Sequence, residues 1–413
     1  MTTVVLIGTL DTKGEEYGWI RDQLLALGCE VTCVDVGTFS AAARPGDISS
    51  AEVAAAAGED LAALRMGNDR GAAMEAMARG AAAVVGRLSS QGRLDAVLAL
   101  GGSGGSSVAG TAMQALPVGV PKLLVSTMAS GDVSRYIGQV DVTVMYSVAD
   151  ISGLNSISRA VLGNATAAVA GMAHAYEARR AQPPATGHAK IVAATMFGLT
   201  TPAVEEARAY LEGVGYEVVV FHATGSGGRA MESLVSSGSL DGVLDLTTTE
   251  LADDLVGGVL SAGPQRLQAA GRSGVPQVVS VGALDMVNFG PPESIPERFA
   301  DRQFLVHNPT VTLMRTSPGE MAELGSRIAA KLAGSSGPVE VYLPTRGVSG
   351  IDVEGGPFRD AEADEACFTA LRKGLAGTSV VVHEVDSAIN DPGFGRQAAE
   401  RLHQLITGSD PEG

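Results

Sequence analysis

A chain of 413 residues is long enough for two domains of ordinary size, each burying a core of its own. A net charge of −17 with only 4% aromatic residues excludes a basic, base-stacking nucleic-acid surface. No apolar run reaches the ~18 residues of a membrane span, so neither nucleic acid nor membrane is expected as a partner. Hydrophobic residues make up 45% of the chain, and the excess of Ala, Gly and Val suits α/β folds with closely packed helices. Three cysteines, Cys29, Cys33 and Cys367, fall at no metal-binding spacing, and Cys29 and Cys33 read as small core residues. An odd, low count fits a reducing compartment, and the N-terminus runs straight into a strand, so the expectation is a cytoplasmic protein.

In chain order, TVVLIG (3–8) is an apolar run of strand length, followed by TLDTKG and a helix over about 15–27 that Gly28 stops. A strand over 31–36 ends at GTFS. Helical spacing then covers about 50–65 and 69–91, with Met74, Met77, Ala81, Val84, Val85 and Leu88 as its core face. LDAVLALGGSGGSS (94–107) reads as a buried strand that opens through four glycines onto a helix. Strands follow at 122–127, opening onto MASGD, and at 142–144. A long Ala-rich helix over 154–180 ends at AQPPATGHA (181–189), the best linker in the chain.

After the linker the pattern restarts. VVLIGTLDTKGEE matches IVAATMFGLTTPAVEE, LDAVLAL (94–100) matches LDGVLDL (240–246), and VPKLLVS (120–126) matches VPQVVSV (275–281). Three matches in one order indicate two related βαβ halves, an α/β fold with helices on both faces of mainly parallel sheets. The domains expected are 1–180 and 190–413. The last third adds a helix over 319–332, a strand at 339–344, a helix over 361–375, the strand SVVVHEV and a final helix to about 406.

In such sheets ligands lie outside the carboxyl ends of the strands, where the polar loops of this chain fall. GGSGG offers unpaired backbone N–H groups at a helix start, a place for phosphate or a merely tight strand-to-helix turn. Neither GxxxxGK[ST] nor GxGxxG is present. TLDTKG adds the Thr9 and Thr12 hydroxyls, the Asp11 carboxylate and the Lys13 ammonium, unless Asp11 and Lys13 form a solvated pair at the helix entry. GTFS adds Thr38. STMASGD adds Ser126, Thr127, Ser130 and Asp132, the last equally readable as a turn or cap residue. Phosphate donors beside a carboxylate able to hold a divalent ion suit a nucleoside triphosphate. Arg70 belongs to this set only if the fold carries it over the glycines. Asp35 lies near the acidic position of a dinucleotide fingerprint, but not in its usual context.

The second half carries different loops. TTTEL (247–251), with Thr248 and Glu250, is oxygen-rich and suits a metal or a hydroxylated substrate. HATGSGGR (222–229) places Gly227, Gly228 and Arg229 at a helix start, a second possible anion site. Together with His307 and Asn308 these residues are the candidate substrate contacts, although His222 and His307 also read as structural histidines.

GTLDTKGEE, NDRGAAM, LALGGSGG, STMASGD and DISGLNSIS resemble the N-terminal domain family of the tomato mosaic virus resistance protein and its bacterial ATP-binding relatives. FHATGSGGRAME, DLTTTELADDLVGG, GALDMVNFG, HNPTVTLMRT, LPTRGVSGIDVEGGPF and INDPGFG resemble the same family's second half. The resemblance implies two Rossmann-like doubly wound domains, ATP with Mg2+ in the first, and a homo-oligomer. Matching motifs carry the nucleotide contacts to Asp11, Thr12, Lys13, Thr38, Arg70, Gly101, Gly102, Ser103 and Gly104, beside Thr127 from the reading above. It leaves two functions open, an ATP-dependent enzyme acting on a small acidic metabolite and a non-catalytic nucleotide sensor or scaffold.

Overall fold

A computed structural model describes residues 1–40, 45–182 and 189–408. The chain divides into two compact units, Met1–Ala185 and Thr186–Gly413. Most of the stretch read as a linker, residues 183–188, lies outside the described residues.

The first unit is a five-stranded, wholly parallel sheet of β1 (Thr3–Gly8), β2 (Glu30–Asp35), β3 (Ala96–Gly101), β4 (Lys122–Ser126) and β5 (Val142–Tyr146), in the order β2-β1-β3-β4-β5. Alternation along the strands divides its core between two faces. Val5, Ile7, Val97, Ala99 and Leu124 pack with Met77, Val84, Leu88 and Met113 from the helices Arg70–Ser90 and Ser103–Gln114. Val4, Leu6, Leu98, Leu100 and Val125 pack with Tyr17, Ile20, Leu24, Leu162 and Val169 from the helices Leu10–Ala26 and Ser156–Arg180. Both faces being buried explains why these strands read as continuous apolar runs. Cys29, Cys33 and Cys367 are free thiols, all buried.

The second unit holds β6 (Ile191–Met196), β7 (Glu217–His222), β8 (Gly242–Thr247), β9 (Gln277–Gly282), β10 (Met286–Phe289), β11 (Phe304–Asn308), β12 (Val311–Arg315), β13 (Val339–Pro344) and β14 (Val381–Val385). Six of these form a parallel sheet in the order β14-β13-β9-β8-β6-β7, and β10-β12-β11 form a separate antiparallel sheet. With the antiparallel insertion set aside, the first five parallel strands have the same spatial order as in the first unit. The internal repeat is thus one of topology as well as of sequence, and the fold is two Rossmann-like units.

Two elements differ from the sequence reading, and a third agrees with it. The expected helix over 50–65 is two, Ser50–Ala56 and Leu61–Met66, because Gly58 takes φ 78° and Asp60 caps the second by accepting from the Ala63 N–H at 2.8 Å. The glycines after β3 stand at the helix start expected of them. They make the first turn of the helix Ser103–Gln114, with Gly102 as its N-cap. The antiparallel sheet has no counterpart in the expected elements, since its short strands lie between turn-rich segments without a sustained period.

Helices Pro318–Ala333 and Ala361–Leu375 approach through glycine: a Cβ on Gly325 would lie 2.3 Å from the Cys367 carbonyl oxygen, and one on Gly374 2.5 Å from the Ala329 Cβ. Gly325→Val is therefore expected to destabilise the second unit by about 1–3 kcal/mol through overpacking. Urea unfolding checks this, and an unmoved midpoint would refute so close a helix contact.

Candidate functional site

β1 and β3 pair only as far as Ile7 and Ala99, and then part. The Tyr17 hydroxyl fills the parting, donating to the Ile7 carbonyl at 2.5 Å and accepting from the Leu100 N–H at 2.8 Å. Complete burial pushes its pKa far up, which keeps it a neutral donor and acceptor. Gly8 is obligatory, because a Cβ there would lie 2.0 Å from the Tyr17 ring. Nothing in the sequence pattern marked Tyr17, which reads as an ordinary core position of its helix.

On one side of the parting stands the loop after β1. The Asp35 carboxylate accepts from the Leu10 N–H at 3.1 Å and the Gly37 N–H at 2.9 Å, so it serves the entry of helix Leu10–Ala26. Burial raises its pKa. Asp11 Oδ2 accepts from the N–H groups of Phe39, at 3.0 Å, and Ser40, at 3.4 Å, while Asp11 Oδ1 is buried with no hydrogen-bond partner among the described residues. Gly37 makes room for it, since a Cβ there would lie 2.6 Å from the Asp11 carboxyl carbon. Thr12 pairs with Thr9, hydroxyl to hydroxyl at 2.8 Å. Lys13 sits at a kink (φ −129°, ψ 24°) and its ammonium donates to the Ile151 carbonyl at 2.5 Å. It ties DISGLNSIS to the first helix, a use that competes with the phosphate contact expected of it.

On the other side is the helix start after β3. Gly101 accepts from the Thr127 N–H at 3.1 Å, and a Cβ on Gly101 would meet the Ser106 nitrogen at 2.6 Å, which is why this turn needs glycine. Ser106 and Ser126 are buried and share a hydrogen bond of 2.7 Å. No side chain caps the helix, so the first-turn amides of Ser103, Gly104 and Gly105 have no intrahelical partner. Thr127 Oγ1 lies 3.6 Å from the position of a Cβ on Gly102. The condition set for Arg70 is met: one of its guanidinium nitrogens lies 3.9 Å from the position of a Cβ on Gly104, with Met74 at 2.9 Å. Asp69 caps the helix that Arg70 opens, through the Ala72 N–H at 3.0 Å. Thr38 is buried and its carbonyl accepts from Arg65 Nε at 2.8 Å. Asp132 is a turn residue, accepting from the Ser134 N–H at 2.9 Å.

In the second unit the residues of the expected loops have partners of their own. The glycine start at 225–228 is filled from within: Glu250 Oε1 accepts from the N–H groups of Gly225, at 2.6 Å, and Gly228, at 3.1 Å, and Oε2 accepts from Arg266 Nε at 2.6 Å. A Cβ on Gly228 would lie 2.1 Å from Glu250 Oε2, and one on Gly227 1.9 Å from the His222 carbonyl oxygen, so both glycines serve this packing. Arg266, fully buried, also binds both oxygens of Asp245, at 2.5 and 2.7 Å. Thr248 is buried, its hydroxyl donating to the Ser280 carbonyl at 3.0 Å. Arg229 donates to the Ser261 carbonyl at 2.8 Å. His222 is exposed at the end of β7, whereas His307 and Asn308 stand on β11 of the antiparallel sheet, where Asn308 accepts from the Thr310 N–H at 2.9 Å. The sequence reading missed the partner of this plug, Arg266, because its charge partners are 16 to 34 residues away.

A second buried ionic group stands beyond β9. Arg315 donates to Asp364 at 2.9 Å and lies 3.7 Å from Asp352, Arg359 pairs with both aspartates, and Ser349 donates to Asp285 at 2.8 Å. Burial raises the pKa of Asp285, Asp352 and Asp364, against the pull of Arg315.

Residues 2–178 match the N-terminal domain, and residues 189–406 the C-terminal domain, of the uncharacterised protein family UPF0261. The chain belongs to the UPF0261 family. A UPF0261 protein of Clostridium tetani is 48% identical over 403 residues, 98% of each chain, and one of Mesorhizobium japonicum is 46% identical over 97% of this chain and 99% of its own. The ToMV resistance protein Tm-1(GCR237) of Solanum lycopersicum is 41% identical over 89% of this chain, which spans 50% of that longer protein. The glycosyltransferase SnogD of Streptomyces nogalater aligns over 98% of the UPF0261 chain and 99% of its own at 13% identity, with a TM-score of only 0.19.

Two predictions follow from the second unit of this UPF0261 protein. Glu250→Ala strips Arg266 of one carboxylate and uncovers two amides, so a loss of about 3 kcal/mol is expected. Sulfate should restore part of that in the variant beyond its general effect on wild type. Thermal unfolding with and without sulfate checks it, and equal gains in both proteins would show that Glu250 is not filling an anion site. Asp253 accepts from the Asn288 N–H at 2.9 Å and its side-chain amide at 2.7 Å, yet burial pushes its carboxyl up to about 7. A folded pKa above the unfolded ~3.9 means that the folded state holds the proton more tightly, so stability falls as pH rises across this window. The second unit should melt lower at pH 8 than at pH 5.5. Asp253→Asn should reduce the difference, leaving the share of Asp285 and Asp364, and an equal slope in both proteins would exclude Asp253 as a source.

Proposed function

We propose that the first unit binds ATP, its phosphates on the open amides of Ser103 and Gly104 after Gly101 and Gly102, with Arg70 and Thr127 beside them. The observation that carries this is the convergence of Arg70, from a separate helix, on the uncapped glycine turn after β3. A helix N-terminus favours negative charge, and an arginine there adds a charge-assisted bond of ~1.5–3 kcal/mol, more than the dipole alone supplies. Fold-level analogy supports the placement, since ligands of sheets with this strand order lie at the parting of the first and third strands.

Among the described residues no three His, Cys, Asp or Glu side chains come together as a metal site. Mg2+ suits this arrangement as an ion that arrives with the phosphates, which need only one or two protein carboxylates to hold it. Asp11, with its unpartnered buried oxygen, is the residue that fits. When bound, the ion would neutralise phosphate charge. Asp11 meanwhile orients the loop at 39–40, and Thr9 and Thr12 present their hydroxyls at the same entry.

Of the two uses for ATP, the nucleotide sensor gains most from the geometry. The loops expected to hold a small acidic metabolite are largely occupied: Glu250 fills the amides at 225–228, Thr248 is buried, and Asn308 closes a hairpin turn. The ATP-dependent enzyme acting on such a metabolite, in a homo-oligomer, is the second reading.

Calorimetry of the full chain with MgATP tests the proposal. Arg70→Ala should weaken binding about tenfold or more, as the loss of one charge-assisted bond requires. Absence of binding to the wild type, or an affinity unaffected by Arg70→Ala, would overturn the assignment. ATP turnover in the presence of carboxylic and sugar acids would favour the enzyme over the sensor.

A further inference from the structure

In the second unit, residues 345–360 join β13 to the helix Ala361–Leu375 without a helix or strand of their own. Connections this long in a compact domain are usually functional. The buried ionic group anchors this one: Asp352 accepts from the Val348 N–H at 2.9 Å, and Ser349 donates to Asp285 at 2.8 Å. Backbone bonds tie it to the loop after β14. The Arg346 N–H donates to the Ser387 carbonyl at 3.0 Å, and the Ile389 N–H to the Gly347 carbonyl at 2.9 Å. Both loops leave the carboxyl ends of their strands, the edge of a parallel sheet at which ligands lie.

These two loops line a cavity of about 510 Å3 with Arg346, Val353, Glu354, Arg359, Ala388 and Asp391. The volume falls within the roughly 300–1,000 Å3 of small-molecule sites. Arg359 is a quarter exposed, and its Nη1 pairs with Asp352 and Asp364. Its Nε and Nη2 have no partner among the described residues. A guanidinium held from one side in this way offers its free N–H groups at a fixed angle, the geometry that suits a carboxylate. Because the loops are already pinned, little ordering cost remains on binding.

Unmatched negative charge stands in the same cavity. Glu354 is exposed, with no hydrogen bond or ion pair among the described residues. Asp391 accepts from the Ala388 N–H through Oδ2 at 2.7 Å, which leaves Oδ1 free for a ligand. Arg346 is already matched by Asp386, which accepts from its Nε at 2.6 Å and Nη2 at 2.7 Å. A simple anion here would face Glu354 and Asp391, and a simple cation would leave Arg359 unmatched. A molecule carrying both charges meets both, while Val353 and Ala388 offer it an apolar wall.

We propose that this cavity binds the zwitterion of a free α-amino acid with an apolar side chain. Its carboxylate lies on Arg359, its ammonium on Glu354 and Asp391, and its side chain against Val353 and Ala388. The site lies wholly within the second unit and does not depend on the ATP reading.

Calorimetry of the full chain with L-valine, L-leucine and L-methionine tests this. At least one should bind. Its N-acetyl derivative, which lacks the ammonium, and its primary amide, which lacks the carboxylate, should each bind at least tenfold more weakly. Glu354→Gln should weaken the amino acid about tenfold, as the loss of one charge-assisted bond implies. That variant should melt with the wild type, since Glu354 holds nothing in the fold. Absence of binding by all three amino acids would overturn the proposal. So would either blocked derivative binding as tightly as its parent, or an affinity that Glu354→Gln leaves unchanged.

Discussion

Where two parallel strands separate, their backbone groups lose each other as partners and must find new ones, because a buried unpaired amide or carbonyl costs ~1–3 kcal/mol. The first unit meets this constraint at the parting of β1 and β3 with one hydroxyl. Tyr17 reaches up from the helix Leu10–Ala26 to serve both Ile7 and Leu100. The strands can then diverge without penalty, and the loops after them stand apart. The open turn at Gly102–Gly104, the Asp11 entry and the Phe39 loop all take their places from that divergence.

The second unit meets the same constraint with threonines. β6 and β8 pair only through Ala194 and Leu244. The Thr195 hydroxyl then accepts from the Thr247 N–H at 3.0 Å, and the Thr200 and Thr247 hydroxyls pair at 2.8 Å. The Thr195 hydroxyl also donates to Asp245 at 2.7 Å, which holds Arg266, which holds Glu250, whose other oxygen closes the glycine amides. Two halves with one topology thus differ at their glycine helix starts, which follow β3 in the first unit and β7, the counterpart of β2, in the second. One leaves amide hydrogens open beside an arginine, while the other satisfies them with its own carboxylate and buries the balancing charge. A buried arginine with three carboxylates around it is costly to desolvate, and such a network persists only when nearly every group in it is bonded.

This contrast changes what the internal repeat means for function. Glycine-rich helix starts occur in both halves, and by composition HATGSGGR is as good an anion loop as GGSGG. Glu250 was visible in the sequence as part of an oxygen-rich loop, but an acidic side chain reads the same whether it faces a ligand or its own backbone. Similarly, Lys13 stands at the right place for a phosphate and yet donates to Ile151, 138 residues away. Charged residues near glycines give a loop its chemistry; which partner they meet is a question of distance across the fold.

Local patterns determined much by themselves. Apolar runs buried on both faces, helix stops at glycine and the matched segments of the two halves were enough for the α/β class, the repeat, and most strands and helices of the parallel sheets, because each depends on neighbours within a few residues. The glycine turn after β3 as a helix start and the buried cysteines were legible for the same reason. Only the tertiary structure decided which turn stays open, that Arg70 reaches Gly104, that Tyr17 supports the parting strands, and that β10, β11 and β12 form their own antiparallel sheet. Those outcomes are contacts between residues tens of positions apart, and the energy that selects them comes from packing and charge pairing that no local window contains.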